Sequence, residues 1–296
     1  MQTTETPSGK HPELDQYGTL ELVRAFTEDQ VLAASVAHAA AAQLARAVDA
    51  AAPRIAAGGR LIYIGAGTSG RLGVLDSVEL LPTFSWPKDR AVALIAGGRG
   101  AMYEAVEGAE DDKAQGAADL RSLNPSQNDV CIALAASGST PYALGALTAG
   151  KAAGSLTIGI ANNPEAPLTT LAEIGITIDT GSEVISGSTR LKAGTAQKIV
   201  LNTLSSAIMV RLHKVHGNLM VDLMPTNAKL YRRAIALTMR ATGADETTAR
   251  RTLEACHYRM KVAIVAILRK TDVTAAQAAL DAVNGSVRQA VAGGGR

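Results

Sequence analysis

Leu61-Ile62-Tyr63-Ile64-Gly65-Ala66-Gly67-Thr68-Ser69-Gly70 is the stretch on which the fold turns. Its first four residues form a short apolar run of the kind a fully buried strand needs. The glycines that follow match G-x-G-x-x-G letter for letter, the turn that carries a strand into a helix N-terminus. Outward from here the same rhythm returns at 92–95, 130–134, 157–160 and 174–178. Stretches with helical patterning, 71–80, 101–123, 141–153 and 167–172, separate the runs. Five apolar strands alternating with helices predict a doubly wound α/β fold, a parallel five-stranded sheet covered on both faces. Ligands of such sheets bind beyond the carboxyl ends of the strands.

The flanks read differently. Residues 1 to about 15 are polar, contain Pro7 and Pro12, and predict an extended arm without a signal peptide. Ala- and Leu-rich periodicity over 20–57 predicts two helices, stopped by Gly58-Gly59. After the fifth strand, a long helix is expected over 192–216 and an irregular stretch over 218–227. Four short helical patterns then fill 230–292, broken near Gly243, Thr271 and Gly285. The expected organisation is an arm with helices (1–57), the α/β core (58–228) and a small C-terminal helical bundle (229–296).

Composition narrows the function. Twenty-nine basic and 27 acidic side chains leave +2, and no five like charges run together, so a nucleic-acid footprint is not expected. Aromatics are only 3%, too few for base stacking. No apolar run approaches the roughly 18 residues of a membrane helix. Cys131 and Cys256 suffice for neither a disulfide framework nor a four-thiolate zinc site, which suits a reduced, cytoplasmic compartment. His213 and His216 lack a third ligand nearby, so no metal site is expected.

A dinucleotide site wants a carboxylate at the end of the second strand, but there the chain reads Ala96-Gly97-Gly98. The loop instead offers Gly67, Thr68 and Ser69 at a helix N-terminus, which suits one phosphate, with a dinucleotide site and a purely structural turn as the alternatives. The third strand ends in Ser137-Gly138-Ser139-Thr140-Pro141, again hydroxyls before a helix start. Two such loops at one sheet edge favour a sugar-phosphate pocket. Two carboxylates stand in line with apolar residues: Glu79 with Leu72 and Leu75, and Glu110 with Met102 and Val106. A carboxyl pressed onto an apolar face tends to keep its proton, as a general acid must. The plain alternative is a helix-end glutamate reaching into water.

Five blocks carry a resemblance: GGRLIYIGAGTSGRLGVLDSVELLPTF (58–84), AVEGAEDD (105–112), LAASGSTPY (134–142), GSTRLKAGTAQK (187–198) and NLMVDLMPTN (218–227). On these the chain resembles the N-acetylmuramic acid 6-phosphate etherases of the sugar isomerase (SIS) domain superfamily. The resemblance implies a carbon–oxygen lyase that releases D-lactate and leaves N-acetylglucosamine 6-phosphate, with no metal or organic cofactor. It makes Glu79 the general acid and Glu110 the second active-site glutamate, a base or water activator. Ser69, Ser137, Ser139 and Thr140 would hold phosphate, Ser188 would join the binding set, and Glu183 would steer the sugar. It also implies a homodimer with active sites at its interface. Ten helical residues separate Ser69 from Glu79, about 15 Å, so either the helix breaks before Pro82 or Glu79 serves the partner's pocket.

Departures from the family pattern bear on the lactyl group. The arm reads Thr4-Glu5-Thr6-Pro7-Ser8, without the family's Arg and Asn, and Ser139 stands where Arg or Asn is common. Ser77-Val78 precede Glu79 in place of Ala-Ser. A non-catalytic phosphosugar-binding regulator or an aldose–ketose phosphosugar isomerase on the same fold are the alternative readings.

Overall fold

The structure is a computed structural model that describes residues 3–293. Helices α1 (Thr19–Ala39) and α2 (Ala41–Ala56) precede strand β1 (Leu61–Gly65) and helix α3 (Gly67–Phe84). Then follow β2 (Ala91–Ile95), α4 (Lys113–Ser122), β3 (Val130–Ala135), α5 (Pro141–Ala152), β4 (Leu156–Ala161), α6 (Pro167–Leu171), β5 (Ile174–Thr177) and α7 (Lys192–Arg211). A short hairpin, β6 (Val215–His216) and β7 (Leu219–Met220), leads into α8 (Ala228–Thr242), α9 (Glu246–Ala255), α10 (Met260–Arg269), α11 (Val273–Asp281) and α12 (Val287–Ala292).

The five core strands are parallel, in the order β2-β1-β3-β4-β5, as the alternating pattern predicts. The chain reverses its winding between β1 and β3, and a doubly wound sheet opens its crevice at that point. Every residue of β1, β3 and β4 is buried, which is why these runs read as unbroken apolar sequence. On one face α2 packs on β3, β4 and β5, while α5 packs on β1, β3 and β4. The glycine loop owes part of its pattern to this packing. A Cβ on Gly70 would lie 2.7 Å from Ile95 Cγ1 and 2.8 Å from the Gly65 carbonyl oxygen, so α3 reaches the sheet only with glycine there.

Three expectations need correction. The helix expected over 101–123 is broken into two 3₁₀ turns, Arg99–Met102 and Ala109–Asp111, followed by α4. Gly108, at φ +71°, interrupts the period, and α4 starts afresh where the Asp112 carboxylate accepts from Gln115 N–H at 2.8 Å. The long helix ends at Arg211 rather than near His216, where His213 turns left-handed at φ +59°. The tail holds five helices, not four, because His257 and Tyr258 break the chain at positive φ without any Gly or Pro to announce it.

By packing, one compact unit takes the chain to Val78 together with Lys88–Ile208, and the other takes Glu79–Pro87 and the chain from Met209. This division differs from the sequence boundaries at 57 and 228, because α1 and α2 fold with the sheet and the second unit takes the end of α3 and a C-terminal stretch that begins inside α7. The second unit has its own apolar centre, including Leu253, Ile264 and Leu280. Among the described residues, no single helix is long and apolar enough to cross a membrane.

Candidate active site

A cavity of about 410 Å³ lies beyond the ends of β1 and β3, at the crevice the strand order opens. Gly67, Thr68 and Ser69 of α3 line one side, and Ser137, Ser139 and Thr140 ahead of α5 line the other. The N–H of Gly70 is already bonded to Ala66 O at 3.0 Å, while the N–H groups ahead of it have no partner within the helix. In the second loop, Ser137 Oγ accepts from Ser139 N–H at 3.1 Å. Thr140 is the N-cap of α5, yet its side chain makes no cap bond. Gly138 is buried rather than lining: at φ +69°, its missing Cβ would lie 2.3 Å from Ala166 Cβ.

Ser69 plays a different part from its neighbours. Asn162 Nδ2 donates to the carbonyl oxygens of Ile178 and Ala193, both at 3.3 Å, which fixes its amide orientation because a carbonyl only accepts. Its Oδ1 therefore accepts from Gln197 Nε2 at 2.9 Å, so Gln197 Oε1 faces Ser69 and accepts its hydroxyl proton at 2.8 Å. The Ser69 hydroxyl is thus a latch between α3 and α7, and what it offers an anion is its backbone N–H.

The carboxylates sort unevenly. Glu110 lines the cavity from the 3₁₀ turn Ala109–Asp111, beside Asp111. Its expected apolar surroundings are absent: Glu110 is exposed, since the helix that was to press it inward does not form. Glu79 is exposed as well and does not line this cavity. The inward face of α3 instead carries Asp76, which accepts from Tyr63 Oη at 2.8 Å and Asn202 Nδ2 at 2.6 Å. Burial, then the Asp76 charge, hold the Tyr63 phenol well above its usual range. The stripe shared by Leu75 and Glu79 therefore faces outward, with Leu75 45% and Val78 56% exposed. α3 runs unbroken through Pro82, which removes the option of an early break.

Glu183 corrects a further expectation. It is fully buried and accepts from the N–H groups of Lys192 and Ala193 at 3.0 and 2.8 Å, so it caps α7 instead of facing the cavity. Burial raises its pKa, and the two N–H bonds pull the other way. Ser188 does not line the cavity either; the adjacent Thr189 does. Burial pushes the Cys131 thiol up to about 12, so it is no nucleophile.

Sequence patterns also missed Glu5 and Arg71. The arm crosses the sheet edge and is clamped there: Thr4 is fully buried, Asn163 Nδ2 donates to Thr4 Oγ1 at 2.9 Å, and Thr3 Oγ1 donates to Asn163 Oδ1 at 2.8 Å. This places Glu5 in the cavity wall. Arg71, one turn into α3, lines an adjoining cavity of about 240 Å³ that shares Ala66, Gly67 and Glu110 with the first.

Strand order, crevice and paired hydroxyl-bearing helix starts define a SIS-type α/β domain. The family model for the N-terminal SIS domain of glucokinase regulatory protein matches residues 43–151, and that for its C-terminal lid domain matches 217–263. An N-acetylmuramic acid 6-phosphate etherase of Deinococcus radiodurans is 53% identical over 98% of this chain and 95% of its own length. One of Pectobacterium atrosepticum is 48% identical over 98% and 96%. The chain belongs to the N-acetylmuramic acid 6-phosphate etherase family. In fold it is similar to a solved Bacteroides fragilis chain, described as a phosphosugar isomerase involved in capsule formation. The TM-score is 0.50 at 20% identity, over 68% of this chain and 98% of that one.

Proposed function

We propose that the protein cleaves the D-lactyl ether of N-acetylmuramic acid 6-phosphate, giving N-acetylglucosamine 6-phosphate and D-lactate. One observation carries the reading: a cavity at the sheet's crevice joins two hydroxyl-bearing helix starts to an unpaired carboxylate, Glu110. The helix starts take the phosphate through backbone N–H groups of Gly67, Thr68 and Ser69 and the hydroxyls of Thr68, Ser137, Ser139 and Thr140. In the open-chain sugar a base removes the proton at C2, and the electron pair expels the oxygen at C3 to form an unsaturated aldehyde. Lactate alkoxide leaves poorly, so an acid protonates it, worth about 10²–10⁴-fold. Water then adds at C3 and a proton returns to C2. Glu110 is assigned the base or water-activating role and Glu79 that of the acid.

Glu79 acts in the partner's pocket. An unbroken α3 carries it about 15 Å beyond Ser69. The exposed Leu75 and Val78 beside it suit burial against a second copy. The reading therefore includes a homodimer with shared active sites in a cytoplasmic setting.

Incubation with N-acetylmuramic acid 6-phosphate in ¹⁸O-labelled water tests the reading. Lactate is released, and the label enters the sugar at C3, because the bond broken is the one between C3 and the ether oxygen. Ketose formation without lactate would indicate an isomerase, and binding without any conversion a regulator. Glu79→Gln abolishes lactate release while N-acetylglucosamine 6-phosphate still binds; unchanged turnover would remove Glu79 from the mechanism.

A further inference from the structure

The etherase reading leaves the lactyl group without a place. That group carries a methyl and a carboxylate on the carbon next to the ether oxygen, so its subsite needs an apolar wall and a cation. The 410 Å³ cavity supplies neither in full: among the described residues Glu5, Glu110 and Asp111 are its charged lining residues, and no Lys or Arg lines it. The adjoining 240 Å³ cavity has the missing character. Ala96, Ala101 and Val106 give it apolar walls, and its charged lining residues are Glu107, Glu110 and Arg71, the one cationic residue lining either cavity among the described residues.

Arg71 is aimed rather than loose. Its Nε donates to Ala101 O at 3.0 Å, which ties the guanidinium to the loop that also carries Val106 and Glu110. The outer guanidinium nitrogens have no hydrogen bond or ion pair among the described residues, and a planar fork with open donors suits a carboxylate. Val106 reaches the cavity because Gly97 lacks a Cβ, which would lie 2.7 Å from Val106 Cβ. Glu110 sits on the wall the two cavities share, where a sugar anchored by its phosphate would present its C3 ether.

We propose that the 240 Å³ cavity is the leaving-group subsite, in which Arg71 holds the carboxylate of the lactyl ether and Ala101 and Val106 take its methyl group. The assignment rests on the etherase reading. Arg71 touches the part of the substrate that departs, so it sets preference among ethers rather than affinity for the phosphosugar.

The test compares N-acetylmuramic acid 6-phosphate with the 3-O-ethyl ether of N-acetylglucosamine 6-phosphate, which keeps the methyl-bearing chain and lacks the carboxylate. The readout is the ratio of kcat/KM for the two ethers. Arg71→Gln lowers that ratio by about 10- to 100-fold, the worth of a hydrogen-bonded charge pair. Arg71→Lys keeps part of it, having charge without the fork. Val106→Phe fills the space and slows both ethers, while N-acetylglucosamine 6-phosphate inhibits as in the parent. Equal losses on both ethers in Arg71→Gln would overturn the assignment, since the guanidinium would then act only through Ala101; an unchanged ratio would overturn it as well. Should the parent release no lactate, the same ratio read from calorimetric dissociation constants separates the two ideas. A ratio that still depends on Arg71 keeps the subsite and sinks the etherase.

Discussion

The two edges of the central sheet use polar side chains in opposite ways. At the amino edge, Asp129 precedes β3 and Arg60 precedes β1. Asp129 accepts from Arg60 N–H at 2.8 Å, Nε at 3.0 Å and Nη2 at 2.7 Å, and from Ser126 N–H at 2.8 Å. Arg54 and Arg90 close nearby carbonyls of Gln127, Gly154, Ile55 and Gly59. There each charge is matched and holds the fold. At the carboxyl edge, Glu5 and Glu110 line a cavity and make no hydrogen bond or ion pair among the described residues. Groups left open where neighbours could have closed them are available to a ligand; the matched ones are available only to stability.

The largest expected effect strikes the carboxyl edge alone. Glu110→Gln lowers turnover by about 10²–10⁴-fold with an unchanged urea midpoint; a shifted midpoint would make Glu110 structural and erase the contrast. Asp129→Asn does the reverse, costing on the order of 3 kcal/mol in denaturant unfolding with little change in KM, because Arg60 is left without its charge partner. The pH profile carries a sign. Burial alone would raise the Asp129 pKa, but the Arg60 and Ser126 bonds outweigh it and hold the group below its ordinary 3.8. Its stabilisation is therefore full above that value and is lost as pH falls through the lower, folded value. In Asp129→Asn that acid loss disappears; an unaltered acid limb would show that other groups cause it.

Smaller effects sharpen the picture within the carboxyl edge. Thr140→Val raises KM about tenfold if its hydroxyl donates to phosphate, and inorganic phosphate weakens as an inhibitor in parallel. Ser69→Ala and Gln197→Leu each cost a few-fold, and the double variant costs no more than either single one, as expected of one latch. Additive losses would return the Ser69 hydroxyl to direct phosphate binding. Smallest is Glu5→Gln, which removes one negative charge from the cavity wall and makes inorganic phosphate inhibit slightly better.

Much of this was legible in the chain. Buried parallel strands must be apolar throughout, so their positions stood out, and helix starts after strands marked both hydroxyl loops. Glu110 stands out in the chain by a period that does not exist, since Gly108 breaks it, and it lines the cavity from a 3₁₀ turn within the 105–112 block. Glu79 was seen on the correct stripe of α3 but with the stripe turned inward. The inward face is taken by Asp76, whose partners Tyr63 and Asn202 lie 13 and 126 positions away along the chain. Glu183, Ser188, Arg71 and Glu5 could not be sorted, because lining a cavity depends on which distant segment closes over it.

The sequence by itself determined the sheet, its winding and the hydroxyl-bearing loops at its carboxyl edge, since burial of parallel strands and the chemistry of helix starts act over a few neighbouring residues. Only the tertiary structure decided which polar groups remain open. That choice depends on partners more than a hundred positions apart, as between Ser69 and Gln197. A hydroxyl or carboxylate carries no local mark of whether such a partner will arrive.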